Sequence, residues 1–188
     1  DINLERNVIL QEIAQTNDTP DEIIFDWLQE VSYPDQSVGR SILGSRKLIE
    51  GYGQKDIIEF TSRHYTPDRM ILCASGKVDH EKILHLAEKK FGRLIKKKRP
   101  EKDDCIFVGG TFQKRKELEQ AHLAFGMEAP SAMDSDIYVS QIFSIILGGG
   151  MSSRLFQEVR EKRGLCYSIF STIDSISDEN SLFDQRYS

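Results

Sequence analysis

The stretch LGGGMSSRLFQEVREKRGLCYSI, residues 147–169, changes character twice, and its reading decides the second half of the chain. Gly148, Gly149 and Gly150 join two helix-like segments, 134–146 and 152–163, with Ser152 suited to cap the second. Gly164 can end that helix, and a strand is expected from Leu165 to Ile173. Ahead of these, CIFVGG (105–110) and the alternating AHLAFGM (121–127) read as antiparallel strands, with KRKELEQ (114–120) between them.

Working towards the N-terminus, IKKKRPEKDD (95–104) has one apolar residue and dense charge, which marks a linker between two structural units. Before it, helical spacing dominates. INLERNVILQEIAQ (2–15) repeats Leu4, Val8, Ile9 and Ile13 on one side. Thr19, Pro20 and Glu22 predict a capping box, with proline in the first helical position, for a helix carrying Ile23, Ile24, Trp27, Leu28 and Val31. YPDQSVGRSILG (33–44) reads as an ordered loop. Residues 54–65 return to helix and stop before Pro67, Met70–Ser75 has strand length, and Asp79 to Gly92 brackets a further helix. Helices with few strands, followed by strands with helices, predict an α+β fold rather than a doubly wound sheet.

Composition excludes several classes. Of 188 residues, 39% are hydrophobic and 29% charged, which suits a folded chain rather than a disordered one. A net charge of −5 favours neither nucleic acid nor an anionic membrane, and no apolar run approaches the roughly 20 residues of a membrane span. Cys73, Cys105 and Cys166 are odd in number and far apart, so neither a disulfide framework nor a cysteine zinc site is expected. A reducing compartment, cytoplasm or mitochondrial matrix, fits better than secretion. The chain opens on Asp1 directly in helical pattern and closes on SLFDQRYS in strand or turn pattern, so both ends read as cuts and any targeting segment lies outside.

Few residues could carry chemistry. Glu5 and Glu12 are seven apart on one helix, project from nearly the same face and stand roughly 10 Å apart along the axis. Zinc–oxygen bonds are only about 2 Å, so at most one of them ligates a given metal while the other supports it; a solvated helix face is the alternative. His80, Glu81 and His85 superficially suggest a zinc helix. A five-residue step, however, turns the two rings about 140° apart, and helix-start and surface roles explain them better. His64 and His122 stand alone, as satisfied structural histidines do. Arg160 ends a helix and Tyr167 begins the next strand, so the Gly164 turn can bring both to one side; a dipole-complementing arginine and an ordinary strand tyrosine are the alternative. The glycine run 148–150 lacks the P-loop pattern, and KKKR (96–99) reads as solvated linker.

ERNVILQEI (5–13), DEIIFDWLQE (21–30) and YPDQSVGRSILG (33–44), then HYTPDRMILCASGKVDHEKI (64–83), KELEQAHLAFG (116–126) and the stretch at 147–169, together resemble the pitrilysin/insulinase-type (inverzincin) zinc metallopeptidases, and within them processing peptidases. The order and spacing of the motifs cover nearly the whole chain. The resemblance implies two related α+β domains, each partly present: 1–94 as the later half of the first, 95–104 as linker, and 105–188 as the first half of the second. It implies that Glu12 is the third zinc ligand, that Glu5 supports it, and that Arg160 and Tyr167 hold the substrate main chain or a developing oxyanion. The family's HxxEH motif, with its two zinc histidines and general-base glutamate, is not in this sequence and is expected before Asp1. The activity implied by the resemblance is that of a zinc endopeptidase acting on peptides, protein substrates or presequences, with this fragment inactive alone. The rival is a non-catalytic structural or regulatory subunit of the same fold. A homo- or heterodimer with a same-fold subunit is implied, with no nucleic acid and no membrane span.

Overall fold

The computed structural model describes residues 1–98, 105–174 and, as backbone, 180–187. Thr19 is the single residue between α1 (Ile2–Asp18) and α2 (Pro20–Ser32). It has the extended conformation of an N-cap and Pro20 follows it, as predicted. Its hydroxyl, however, donates to the Gln15 carbonyl (2.8 Å) instead of accepting from the start of α2, so the expected capping box does not form. With no further residue between the helices, the side chain serves an unpaired carbonyl of the helix behind it. Of the α1 stripe, Ile13 is buried and Ile9 half-buried, while Leu4 and Val8 are exposed.

The chain forms two compact units, Asp1–Arg6 with Lys47–Lys102, and Asn7–Arg46 with Asp103–Ser188. Within the second unit, α2 packs on the sheet that follows residue 105. Residues 99–104 of the expected linker lie outside the described residues.

The first unit is helical. Arg6 ties the start of α1 to the short α3 (Arg46–Gly51) and the residue after it, donating to the carbonyls of Ile49 (3.2 Å) and Tyr52 (2.6 Å). α4 (Gln54–His64) ends before a 3-10 turn at Pro67–Arg69, and α5 (His80–Phe91) starts where Asp79 Oδ1 accepts the Lys82 amide at 3.2 Å. The strand expected at Met70–Ser75 is not formed: no neighbouring strand pairs with it among the described residues, and Ile71 is 90% exposed. Strand length alone cannot supply the partner that a strand's amides and carbonyls require.

In the second unit, residues 105–110 join no sheet among the described residues, and Gly109 has φ of 73°. The segment docks on the end of α2 instead. The Val108 amide donates to the Ser32 carbonyl (2.9 Å), and the Gln36 side-chain amide makes two 2.8 Å bonds to the Ile106 amide and carbonyl, as a neighbouring strand would. This buries Cys105 against Tyr33, with Val38 and Phe107 packed around them. Further on, the Phe112 and Trp27 rings pack with centres 5.0 Å apart and planes tilted by 46°.

The sheet has β1 (Leu123–Pro130) and β2 (Ile169–Asp174) on either side of β3 (Asn180–Tyr187), all antiparallel, with Leu123 and Ile169 both opposite Tyr187. α6 (Ile137–Gly148) lies on β2. A buried pair fixes that contact: the Ser171 hydroxyl donates to the Ser144 carbonyl (2.7 Å) and lies 3.2 Å from the Ser144 hydroxyl. Gly148 is needed there, since a Cβ would come within 2.5 Å of the Ser171 backbone nitrogen. The architecture is α+β, as predicted. Two boundaries move: β2 begins at Ile169 rather than Leu165, and the helix expected at 152–163 contains a π-helix, Phe156–Glu161. Its first turn closes from the Gln157 amide to the Ser153 carbonyl, one residue beyond the expected cap.

Candidate functional site

The π-helix determines where Arg160 points. The Lys162 amide reaches back five residues to the Gln157 carbonyl (3.0 Å), which widens the turn, and the Gly164 amide closes on the Arg160 carbonyl at 2.9 Å. Gly164 has φ of 60°, a left-handed conformation that glycine adopts without a Cβ penalty, and the Leu165 amide then returns to the Val159 carbonyl at 3.1 Å. This reversal carries Tyr167 back beside the helix. The Arg160 guanidinium carbon lies 4.5 Å from the Phe156 ring centre and 5.6 Å from that of Tyr167, so the structure does bring Arg160 and Tyr167 together.

The cation is lightly countered. Its ion-pair partner among the described residues is Glu161, at 3.8 Å, and its N–H groups make no hydrogen bond there. Glu158 is engaged elsewhere: a 2.6 Å hydrogen bond from Lys162, together with that ammonium's charge, holds its carboxyl below the usual range. Tyr167, 79% exposed, also lines an open groove of ≈ 580 Å³ within this unit. Asp21, Glu22 and Phe25 of α2 form one wall, and His122 and Phe170 contribute from the sheet side. His122 differs from its expected satisfied state: Nδ1 is buried with no hydrogen-bond partner among the described residues. Phe156 and the acidic end of α2 were not recognised as site residues from sequence, although Phe156 stands four before Arg160, a spacing that makes helical neighbours.

Glu5 and Glu12 are both exposed on α1, and neither makes an ion pair among the described residues. The other histidines form no site. His64 stacks on Phe60 at 4.5 Å, while His80 and His85 are exposed on α5. Among the described residues no three His, Cys, Asp or Glu side chains stand together, so the residues present do not by themselves fit a zinc ion; Glu12 offers a single carboxylate where zinc takes three or four protein ligands. No disulfide joins the cysteines, and among the described residues no helix is long and apolar enough to cross a membrane.

Comparison with known proteins places this geometry in a family. Residues 53–184 match the family described as Peptidase M16 inactive domain. An uncharacterized zinc protease of Rickettsia bellii is 39% identical over 172 residues, which is 91% of this chain and 42% of that protein. A protease from Helicobacter pylori has the same fold, with a TM-score of 0.81 at 22% identity over 99% of this chain and 46% of its own. So does a chain of complex III2 from Candida albicans, with a TM-score of 0.84 at 15% identity, covering all of this chain and 47% of its own. The chain therefore spans less than half the length of the relatives it matches, and it belongs to the M16 peptidase family.

Proposed function

We propose that the intact protein is a zinc-dependent endopeptidase that processes peptides or presequences, and that this chain supplies part of its metal and substrate machinery while being inactive alone. The observation that carries the reading is the Arg160–Tyr167 pair, with the guanidinium carbon 5.6 Å from the ring centre of a tyrosine that lines the groove. A guanidinium 33% exposed, whose N–H groups make no hydrogen bond among the described residues, suits a peptide main chain beside a phenol, since main-chain carbonyls offer acceptors at regular intervals. β1 and β2 are edge strands among the described residues, which agrees with a substrate that binds by adding a strand. In this reading Glu12 donates one carboxylate to zinc, Glu5 supports it, and the remaining donors, including two imidazoles, come from the rest of the intact protein. The name zinc protease carried by the 39% identical relative supports it. The domain division at 95–104 and a same-fold partner subunit belong to the same proposal.

A second reading, a non-catalytic partner of the same fold, is favoured by the description of the matching family as an inactive domain. Metal analysis and peptide cleavage on the intact protein separate the two. The peptidase reading expects one zinc per chain, with cleavage abolished by a chelator and restored by zinc. A protein that carries no zinc and cleaves no peptide establishes the second reading.

A further inference from the structure

Arg160 is held from one side by its own helix. Phe156, one turn earlier, presents its ring 4.5 Å from the guanidinium carbon, closer than the Tyr167 ring at 5.6 Å. A guanidinium resting on an aromatic face satisfies that face by attraction to the ring's electron density, and its N–H groups, which lie in the guanidinium plane, stay available at the edges. Two further features point the same way. The side chain of Arg160 is 33% exposed, and its ion-pair partner among the described residues, Glu161, is at 3.8 Å, too far to hold it by a hydrogen bond. The five-residue step to Lys162 widens the turn that contains Arg160, and such π-turns recur at functional sites.

We infer that Phe156 is a positioning residue for Arg160: its ring fixes the guanidinium over Tyr167, so that the edge N–H groups meet a peptide carbonyl without first losing side-chain freedom. The inference rests on the proposed role of Arg160 in holding substrate. Ordering the arginine before substrate arrives moves the entropic cost from binding to folding. The aromatic face, rather than apolar bulk, is what the position requires.

The test compares Phe156→Leu, Phe156→Tyr and Arg160→Gln in the intact protein, with a quenched fluorescent peptide as substrate and the Arg160 Nε–H resonance read by NMR. Phe156→Leu is expected to raise KM roughly three- to tenfold with kcat little changed, and to shift the resonance downfield as the ring current is lost. Phe156→Tyr, which keeps the ring, is expected to stay within about twofold of wild type on both readouts. If Phe156→Leu fails to fold, Phe156→Met takes its place. An unmoved Arg160 resonance, or wild-type KM in Phe156→Leu while Arg160→Gln raises KM, overturns the positioning role alone. Wild-type kinetics in Arg160→Gln overturn the underlying assignment of Arg160.

Discussion

Tyr33 is 1% exposed and packs beside Cys105 in the small core where residues 105–110 dock on α2. Burial first, and then the neighbouring thiol, push its phenol from 10.0 up to about 12. Because the folded value lies above the unfolded one, the stability this group contributes is intact below pH 10 and is lost as pH rises from 10 to about 12. Denaturation of wild type and Tyr33→Phe across that window checks it: the wild type should lose stability more steeply, and parallel curves would remove Tyr33 as the cause. Glu5 offers a test of a different kind. If it supports Glu12 from behind, Glu5→Gln in the intact protein should weaken zinc roughly 10- to 100-fold without abolishing binding, as read by competition with a chromogenic chelator. Unchanged affinity would return Glu5 to a solvated helix face.

Two helix starts with similar sequence signals use their caps differently. Asp79 accepts the Lys82 amide at the head of α5, whereas the Thr19 hydroxyl is turned back to α1. Asp79→Ala should therefore cost about 1 kcal/mol and speed amide exchange in the first turn of α5, while Thr19→Ala leaves the first turn of α2 exchanging as before. Equal acceleration at both sites would contradict this account of the caps. Between α6 and β2, Gly148→Ala should cost about 1–3 kcal/mol in chemical denaturation, since the new methyl would meet the Ser171 backbone rather than a flexible side chain. The elements legible in sequence were those whose cause is local: Pro20 after Thr19, Asp79 before α5, and Gly164 reversing the chain so that Tyr167 meets Arg160. The illegible ones depend on partners elsewhere. Met70–Ser75 has the residues of a strand but no neighbour to pair with among the described residues, and CIFVGG is claimed by Gln36 and Ser32 rather than by a sheet. The π-turn carries no distinctive residue pattern; the four-residue spacing of Phe156 and Arg160 marks helical neighbours, but not the seating of the guanidinium against that ring. Glu12 was legible as an exposed acid on α1, but spacing alone could not separate a ligand from a solvated face.

At the scale of the molecule, much apolar surface is uncovered. α6 buries Ile137, Ser144 and Gly148, yet leaves Tyr138, Val139, Ile142, Phe143, Ile145 and Ile146 exposed. Exposed apolar helix surface of this kind drives association when nothing covers it. The isolated 188-residue chain should self-associate with rising concentration in sedimentation velocity, and the double variant Ile142→Glu, Ile146→Glu should reduce this; a strictly monomeric wild type would contradict the reading. The same isolated chain should bind no stoichiometric zinc, for in the proposed reading it contributes one carboxylate where zinc takes three or four protein ligands. The central claim, that Glu12 is that carboxylate in a zinc peptidase, is tested most directly by measuring zinc content and peptide turnover together in the intact protein carrying Glu12→Gln. Loss of both is the predicted result, and a full zinc complement with wild-type turnover would contradict it.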